Sequence, residues 1–193
     1  MNKEQGMKRE RFPEGTRGCS GFTLIELLVT IGIMVILVGI AIPAFSTWLP
    51  NFRLNAAARD LVSDFQKAKM EAVRRNANVV LSFNQHAYIP AGSVGTYQIF
   101  VDDGAGGGTE DNFVRDGGEA MLAQGTMPGN VSLYSAVFTG ATTAAGFTSR
   151  GLPASNRTGD VLLRNNHARY FKVTLGLAGN IALTRSNDGV TWN

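Results

Sequence analysis

One carboxylate stands at the head of a long uncharged run. Glu26 is followed by no ionisable residue until Arg53. Placing a charge in hydrocarbon costs roughly 2.5–3.5 kcal/mol on insertion scales, so Glu26 needs a partner of opposite sign. A cut between Gly21 and Phe22 would supply one, because the new α-amino group lies about one helical turn from the carboxylate. The chemistry on offer is ion pairing inside lipid rather than turnover of a substrate.

Other chemistry-bearing groups are sparse. Asp102-Asp103-Gly104 through Glu110-Asp111-Asn112 gathers carboxylates around glycines. Hard cations favour such oxygen clusters, yet the alternating spacing of an EF-hand loop is missing, so a cation and plain solvent are both open readings. His86 and His167 are the only histidines and Cys19 the only cysteine, which speaks against a zinc site. No nucleophile elbow supports Ser-His-Asp catalysis, and no phosphate-binding or dinucleotide glycine motif occurs. The expectation is a non-enzyme with no catalytic residue, cofactor or metal. Arg150, Arg157, Arg164, Arg169, Lys172 and Arg185 make the C-terminal third basic. DNA binding would need several of these on one surface, and solvated arginines are the plainer account.

The elements that must position Glu26 follow from hydropathy. Leu27 to Ala44 carries no charge, close to the ~20 apolar residues that span a bilayer, and Phe22–Ile25 and Phe45–Leu49 extend it. An ordinary secretory signal puts its apolar stretch before the cut. Here the order is reversed, so the apolar helix would survive processing as a membrane anchor. Cys19 likewise precedes the apolar run, whereas a lipid-accepting cysteine follows it. Pro43, after Gly32 and Gly39, predicts a kink or local loosening. From Asn51 to Asn76, Leu54, Ala58, Leu61, Phe65, Ala68 and Ala72 recur at helical spacing, with charge on the other faces. Asp60 with Asp64, and Lys67 with Glu71, stand within helical-turn distance. A helix from Phe22 to Asn76 would be about 80 Å long at ~1.5 Å per residue.

Beyond Asn76 the pattern turns to short strands separated by Gly, Asn, Pro and Ser. Val79–Phe83, Tyr97–Val101, Val131–Phe138, Asp160–Leu163, Tyr170–Leu175 and Ile181–Thr184 are the clearest. Ala120–Gln124, Ala144–Phe147 and Val190–Trp192 are weaker candidates. No helices intervene for parallel crossovers, so the sheet should be mainly antiparallel. The fold class expected is α+β: a long N-terminal helix, membrane-spanning in its first half and amphipathic in its second, packed on a β-rich head. The segments are a basic leader (1–21), a transmembrane helix (22–49), its amphipathic continuation (50–76) and the head (77–193).

Formal charge is +3 over 193 residues. The leader carries five basic and three acidic residues, so the remainder is nearly neutral. That balance argues against bulk nucleic-acid binding as the main role. Basic residues flank both ends of the apolar run, and orientation is only weakly marked by charge.

A short basic leader ending in Gly21, then Phe22-Thr23-Leu24-Ile25-Glu26 and a hydrophobic helix, resembles a type IV pilin-like precursor. Ala56-Ala57-Ala58-Arg59-Asp60-Leu61 and Gln66 through Asn76 narrow the resemblance to the GspH/FimT family of minor pilins and type II secretion pseudopilins. Phe147-Thr148-Ser149-Arg150-Gly151 and Gly179-Asn180-Ile181 fit its pattern of strand, glycine turn and closing hairpin. The resemblance implies a structural subunit that primes or caps a pilus or pseudopilus. It implies cleavage by prepilin peptidase between Gly21 and Phe22, N-methylation of Phe22, and Glu26 offsetting a neighbour's amine during assembly. Pro43 would mark the stretch that extends when subunits pack. The implied partners are other major and minor pilins or pseudopilins, an inner-membrane assembly platform and membrane lipid. The implied location is a single pass of the inner membrane, N-terminus cytoplasmic and head periplasmic, and then the filament. Some FimT-like subunits are associated with DNA capture through arginines in the closing hairpin. The matching turn here, Gly179-Asn180-Ile181-Ala182, has none, which leaves DNA binding as the alternative reading.

Overall fold

The computed structural model describes residues 21–88 and 95–193. The leader expected at 1–21 therefore lies almost wholly outside the described residues. The chain divides into two compact units, residues 1–42 and 43–193. One helix, α1 (Leu24–Arg75), contributes to both. In the first unit, α1 is apolar on every side and none of its side chains is buried.

In the second unit, α1 becomes one-sided. Pro50, Leu54, Ala57, Ala58, Leu61, Phe65, Ala68 and Ala72 are buried. The six apolar positions read from periodicity are all among them. Ala57 also enters the core because an α-helical apolar stripe of a globular protein is wider than one row. The helix ends where Asn76 adopts a left-handed conformation (φ 53), a C-terminal role open to Asn, and Ala77 N–H returns to the Ala72 carbonyl at 3.3 Å.

Eight strands follow: β1 (Asn78–Asn84), β2 (Thr96–Asp102), β3 (Met121–Thr126), β4 (Val131–Phe138), β5 (Ala144–Phe147), β6 (Gly159–Asn165), β7 (Tyr170–Leu175) and β8 (Ile181–Ser186). They form two four-stranded sheets, ordered β3-β2-β1-β5 and β4-β6-β7-β8. Every described pairing is antiparallel. One core joins the α1 stripe to the inward residues of both sheets. Phe65 stacks on Phe83 and meets Phe147 edge-on, at ring separations of 5.9 and 6.4 Å.

The weak candidates divide. Ala144–Phe147 is a strand because its small residues let it close on β1. A side chain at Gly146 would meet the Val79 carbonyl at 2.6 Å. Ala120–Gln124 is present as β3, displaced to Met121–Thr126. Val190–Trp192 is not a strand. Asp188 accepts the Val190 and Thr191 N–H groups at 2.9 Å each, and a backbone donor used in a local turn is withdrawn from a ladder. Only Asn193 pairs back, with Arg185, at 2.9 and 3.0 Å.

Polar contacts tie the sheets to the helix. The Tyr97 hydroxyl donates to Asp64 at 2.6 Å, and its ring fills the space that a side chain at Gly125 would occupy. Burial, then the Asp64 contact, pushes the Tyr97 hydroxyl well above the ordinary phenol range. Asn165 donates to Asn51 at 2.8 Å, and Lys69 to the Gly179 carbonyl at 2.9 Å. Lys67 pairs with Asp64 at 3.0 Å rather than with Glu71, which is taken by Arg74 at 2.6 Å and Arg75 at 2.8 Å.

Two outcomes follow. Tyr97→Phe should lower stability by about 1.5–3 kcal/mol, the range for a bond to a charged group. It should be read as a shifted denaturant midpoint with unchanged slope. The Arg74 bond and then the Arg75 bond hold the Glu71 carboxyl at about 2, below its ordinary 4.5. Being depressed, this group contributes stability that is fully present above ~4.5 and is lost as pH falls through about 2. NMR titration should place the Glu71 midpoint there, and Arg74→Ala should move it back toward the ordinary value.

Candidate functional site

The start of α1 is built by its own side chains. Thr23 precedes the first helical residue, and Glu26 stands three positions later. The Glu26 N–H donates to the Thr23 hydroxyl oxygen at 3.2 Å, and the Thr23 N–H donates to Glu26 Oε2 at 2.9 Å. The two satisfy each other's otherwise orphaned donors reciprocally, which is a capping box. The Thr23 hydroxyl also reaches Oε2 at 3.0 Å. All three contacts converge on one carboxylate oxygen or its partner hydroxyl, and none uses Oε1.

Sequence reasoning looked to an α-amino group, the cut chain's own or a neighbour's, as the partner of Glu26 and missed this local one. The Thr-x-x-Glu spacing before an apolar run was the available signal. The carboxylate is thus oriented by the helix end, where its charge also suits the positive end of the helix dipole. One oxygen is left to meet a second donor. Gly21 and Phe22 lie just ahead, outside the helix; Phe22 is 84% exposed, and a side chain at Gly21 would meet nothing within 4 Å.

The surface behind Glu26 is a continuous apolar one, running through Leu27, Leu28, Ile31, Met34, Val35 and Val38. By length and composition this helix could cross a membrane. Gly32 and Gly39 also face open space. Pro43 lies inside α1, and its carbonyl accepts the Ser46 and Thr47 hydroxyls at 2.9 and 3.0 Å. A second proline inside the helix, Pro50, is its first buried residue.

The other candidates are not brought together. Among the described residues, no group of three or more His, Cys, Asp or Glu side chains is placed to hold a metal ion. In and just after the Asp102–Asn112 loop, several carboxylates accept backbone donors instead. Asp102 accepts Phe113 N–H at 2.8 Å, Glu119 accepts Gly104 N–H at 3.2 Å and Asp116 N–H at 3.1 Å, and Asp116 accepts Thr109 N–H at 3.0 Å. Burial pushes the Asp102 carboxyl up; the Phe113 N–H bond pulls it down, and the nearby Glu119 charge raises it again. Phe113 then closes over Val80 and Phe100 on the outer side of the first sheet.

Of the basic residues, Arg169 and Arg185 line one hollow beside Asn51 and Asn55, and others lie over aromatic rings. Arg157 lies 3.5 Å over the Phe113 ring, Arg164 lies over Tyr88 and Tyr170 at 4.3 and 5.5 Å, and Lys172 lies 4.6 Å over Trp192. Arg169 donates to Asn187. The closing turn is held down by Lys69, and a side chain at Gly179 would meet the Gly151 carbonyl at 2.5 Å.

Similarity to known proteins falls on the same two regions. The family profile described as Type II transport protein GspH matches residues 57–179, and the Prokaryotic N-terminal methylation motif matches residues 16–42. The chain is 42% identical over 87 residues to the pilin-like protein PilA1 of Thermus thermophilus. That stretch is 44% of this chain and 49% of PilA1, so the match spans about half the length of the curated relative. Two crystal forms of the type IV minor pilin FimU of Pseudomonas aeruginosa PAO1 align at 19% identity and a TM-score of 0.43. They cover 67% and 69% of this chain and 90% and 89% of FimU.

The capping box separates two roles for Glu26. Glu26→Gln keeps an acceptor for Thr23 but no charge, whereas Thr23→Ala removes the hydroxyl and keeps the charge. Thr23→Ala should loosen the first turn by about 1 kcal/mol, read as faster amide exchange at residues 24–27. Glu26→Gln should leave that exchange nearly unchanged.

Proposed function

Since this chain belongs to the GspH family, within the pilin-like structural proteins, we propose that it is a minor subunit that primes or caps a type IV pilus or a type II secretion pseudopilus. The observation that carries the reading is the co-occurrence in one chain of the methylation motif and the GspH region. Within the first of these lies an apolar helix surface, residues 24–42, that the described structure leaves wholly unburied. Such a surface is stable only in lipid or against other helices.

In this reading residues 1–21 are a leader, 22–49 the membrane and assembly helix, 50–76 its amphipathic half and 77–193 the head. Prepilin peptidase cuts after Gly21 and methylates the amine of Phe22. The subunit waits as a single-pass inner-membrane protein with its head on the periplasmic side. On assembly, the Glu26 oxygen not used by Thr23 meets the amine of a neighbouring subunit, and two opposite charges leave the hydrocarbon environment as a pair. The stretch around Pro43 loosens as helices pack against other pilins or pseudopilins. DNA capture has less behind it, because the closing turn carries no arginine.

Deletion of the gene should sharply reduce the pili that can be sheared from cells, and the intact gene should restore them. Glu26→Ala should be cleaved normally yet fail to restore them, because it leaves a neighbour's amine unpaired. Normal filament incorporation of that variant would sink the assembly role. Unchanged piliation with impaired enzyme export would assign the subunit to the secretion pseudopilus.

A further inference from the structure

Just beyond the apolar run, within the second unit, three aromatic side chains line one face of α1 at Phe45, Trp48 and Phe52. Their rings form a ladder, with centroids 6.0 Å apart from Phe45 to Trp48 and 5.1 Å from Trp48 to Phe52. All three remain more than half exposed, at 58%, 56% and 55%, although the buried stripe of the same helix begins at Pro50 and Leu54. The core therefore does not account for them.

The first two charges that follow are of one sign, with the exposed Asp60 next to Arg59 in sequence. Arg53 and Arg59 are the first two charges after Glu26, and no acid precedes Asp60. Arg59 forms no ion pair among the described residues, and Arg53 reaches only the Gly129 carbonyl, at 3.4 Å. The acid one turn on, Asp64, is already compensated by Lys67. A shallow hollow of ≈ 500 Å³ lies between rings and cation, lined by Trp48, Asn51, Phe52, Asn55, Ala56 and Arg59. Its walls are aromatic on one side and amide and guanidinium on the other.

We infer that Phe45, Trp48 and Phe52 form an interfacial collar at the head-group level of the membrane, with an anionic phospholipid head group seated against Arg59 in the hollow beneath Trp48. The inference rests on the membrane-anchoring part of the proposed function. Indole and phenyl rings at the end of an apolar helix settle where hydrocarbon meets head groups. Arginines just beyond them extend their charged ends toward lipid phosphate while their stems stay on apolar surface. The collar sets how far the helix sinks, and so where the head begins. A neighbouring helix is the competing occupant, but two like charges beside the rings suit a phosphate surface better than a second copy carrying the same two arginines.

The chain has two tryptophans, so Trp192→Phe leaves Trp48 as the sole indole while keeping a ring beside Lys172. The full-length variant would be reconstituted in phosphatidylcholine vesicles with and without phosphatidylglycerol. The lipids would be brominated either near the head group or near the bilayer centre. Shallow bromines should quench Trp48 at least about twofold more than deep ones, as an interfacial ring requires. Phosphatidylglycerol should increase that quenching, and Arg53→Gln with Arg59→Gln should abolish the increase. Trp48→Phe, which retains only Trp192, should show no bromine quenching. If the protein floats with the vesicles but Trp48 is open to iodide and indifferent to both bromine positions, the collar is refuted while the anchor stands. Shielding from iodide and from both bromine sets would assign the face to another protein helix and refute the lipid seat. Failure to float with vesicles would refute the membrane anchor itself.

Discussion

A helix that is apolar all round in its first part and along one stripe in its second must satisfy two solvents, and the rest of the molecule follows from that demand. The stripe from Leu54 to Ala72 is covered by two sheets, and their inward residues complete a single core with Phe65 among them. The run before Pro43 has no such cover within the described chain. Burying apolar area yields about 25 cal/mol per Å², so a surface of that extent left in water would favour association with lipid or with other helices. The second half thus belongs to the folded core, and the first is left open to lipid or to other helices.

Among the described residues there is no cysteine, so the head is held without disulfides. Polar ties between distant parts of the chain take up part of that task. Asp64 receives Tyr97, Asn51 receives Asn165, and Lys69 spans to Gly179. Each joins α1 to a different part of the β region, and each is at least partly buried, where hydrogen bonds are electrostatically stronger than in water. Together they fix the rotation of the helix, which a smooth apolar stripe would leave loosely specified.

Carboxylates recur in one chemical role at both ends of the molecule. Glu26 caps the first turn of α1, Asp102 and Glu119 gather backbone N–H groups of a glycine-rich loop, and Asp188 organises the C-terminal turn. The acidic loop resembles a cation site in composition alone. In three dimensions Asp102 Oδ2 accepts the Phe113 N–H and Asp103 the Ala105 N–H, and the loop closes Phe113 over the sheet.

The long helix was legible because its signals are local: an uncharged apolar run, and an apolar period that changes from all-round to one-sided. Local pattern also determined six of the eight strands, each with alternating or β-branched residues. Other features waited on the tertiary structure. The Ala-Ala-Gly-Phe strand exists because β1 accepts it closely. Val190–Trp192 is no strand because Asp188 takes its donors. Tyr97 finds Asp64 across 33 positions of sequence. The division into two sheets, and the seating of Arg157 and Arg164 over aromatic rings, likewise depend on which strand neighbours which. Periodicity reports which face of an element is apolar; only packing decides what that face meets.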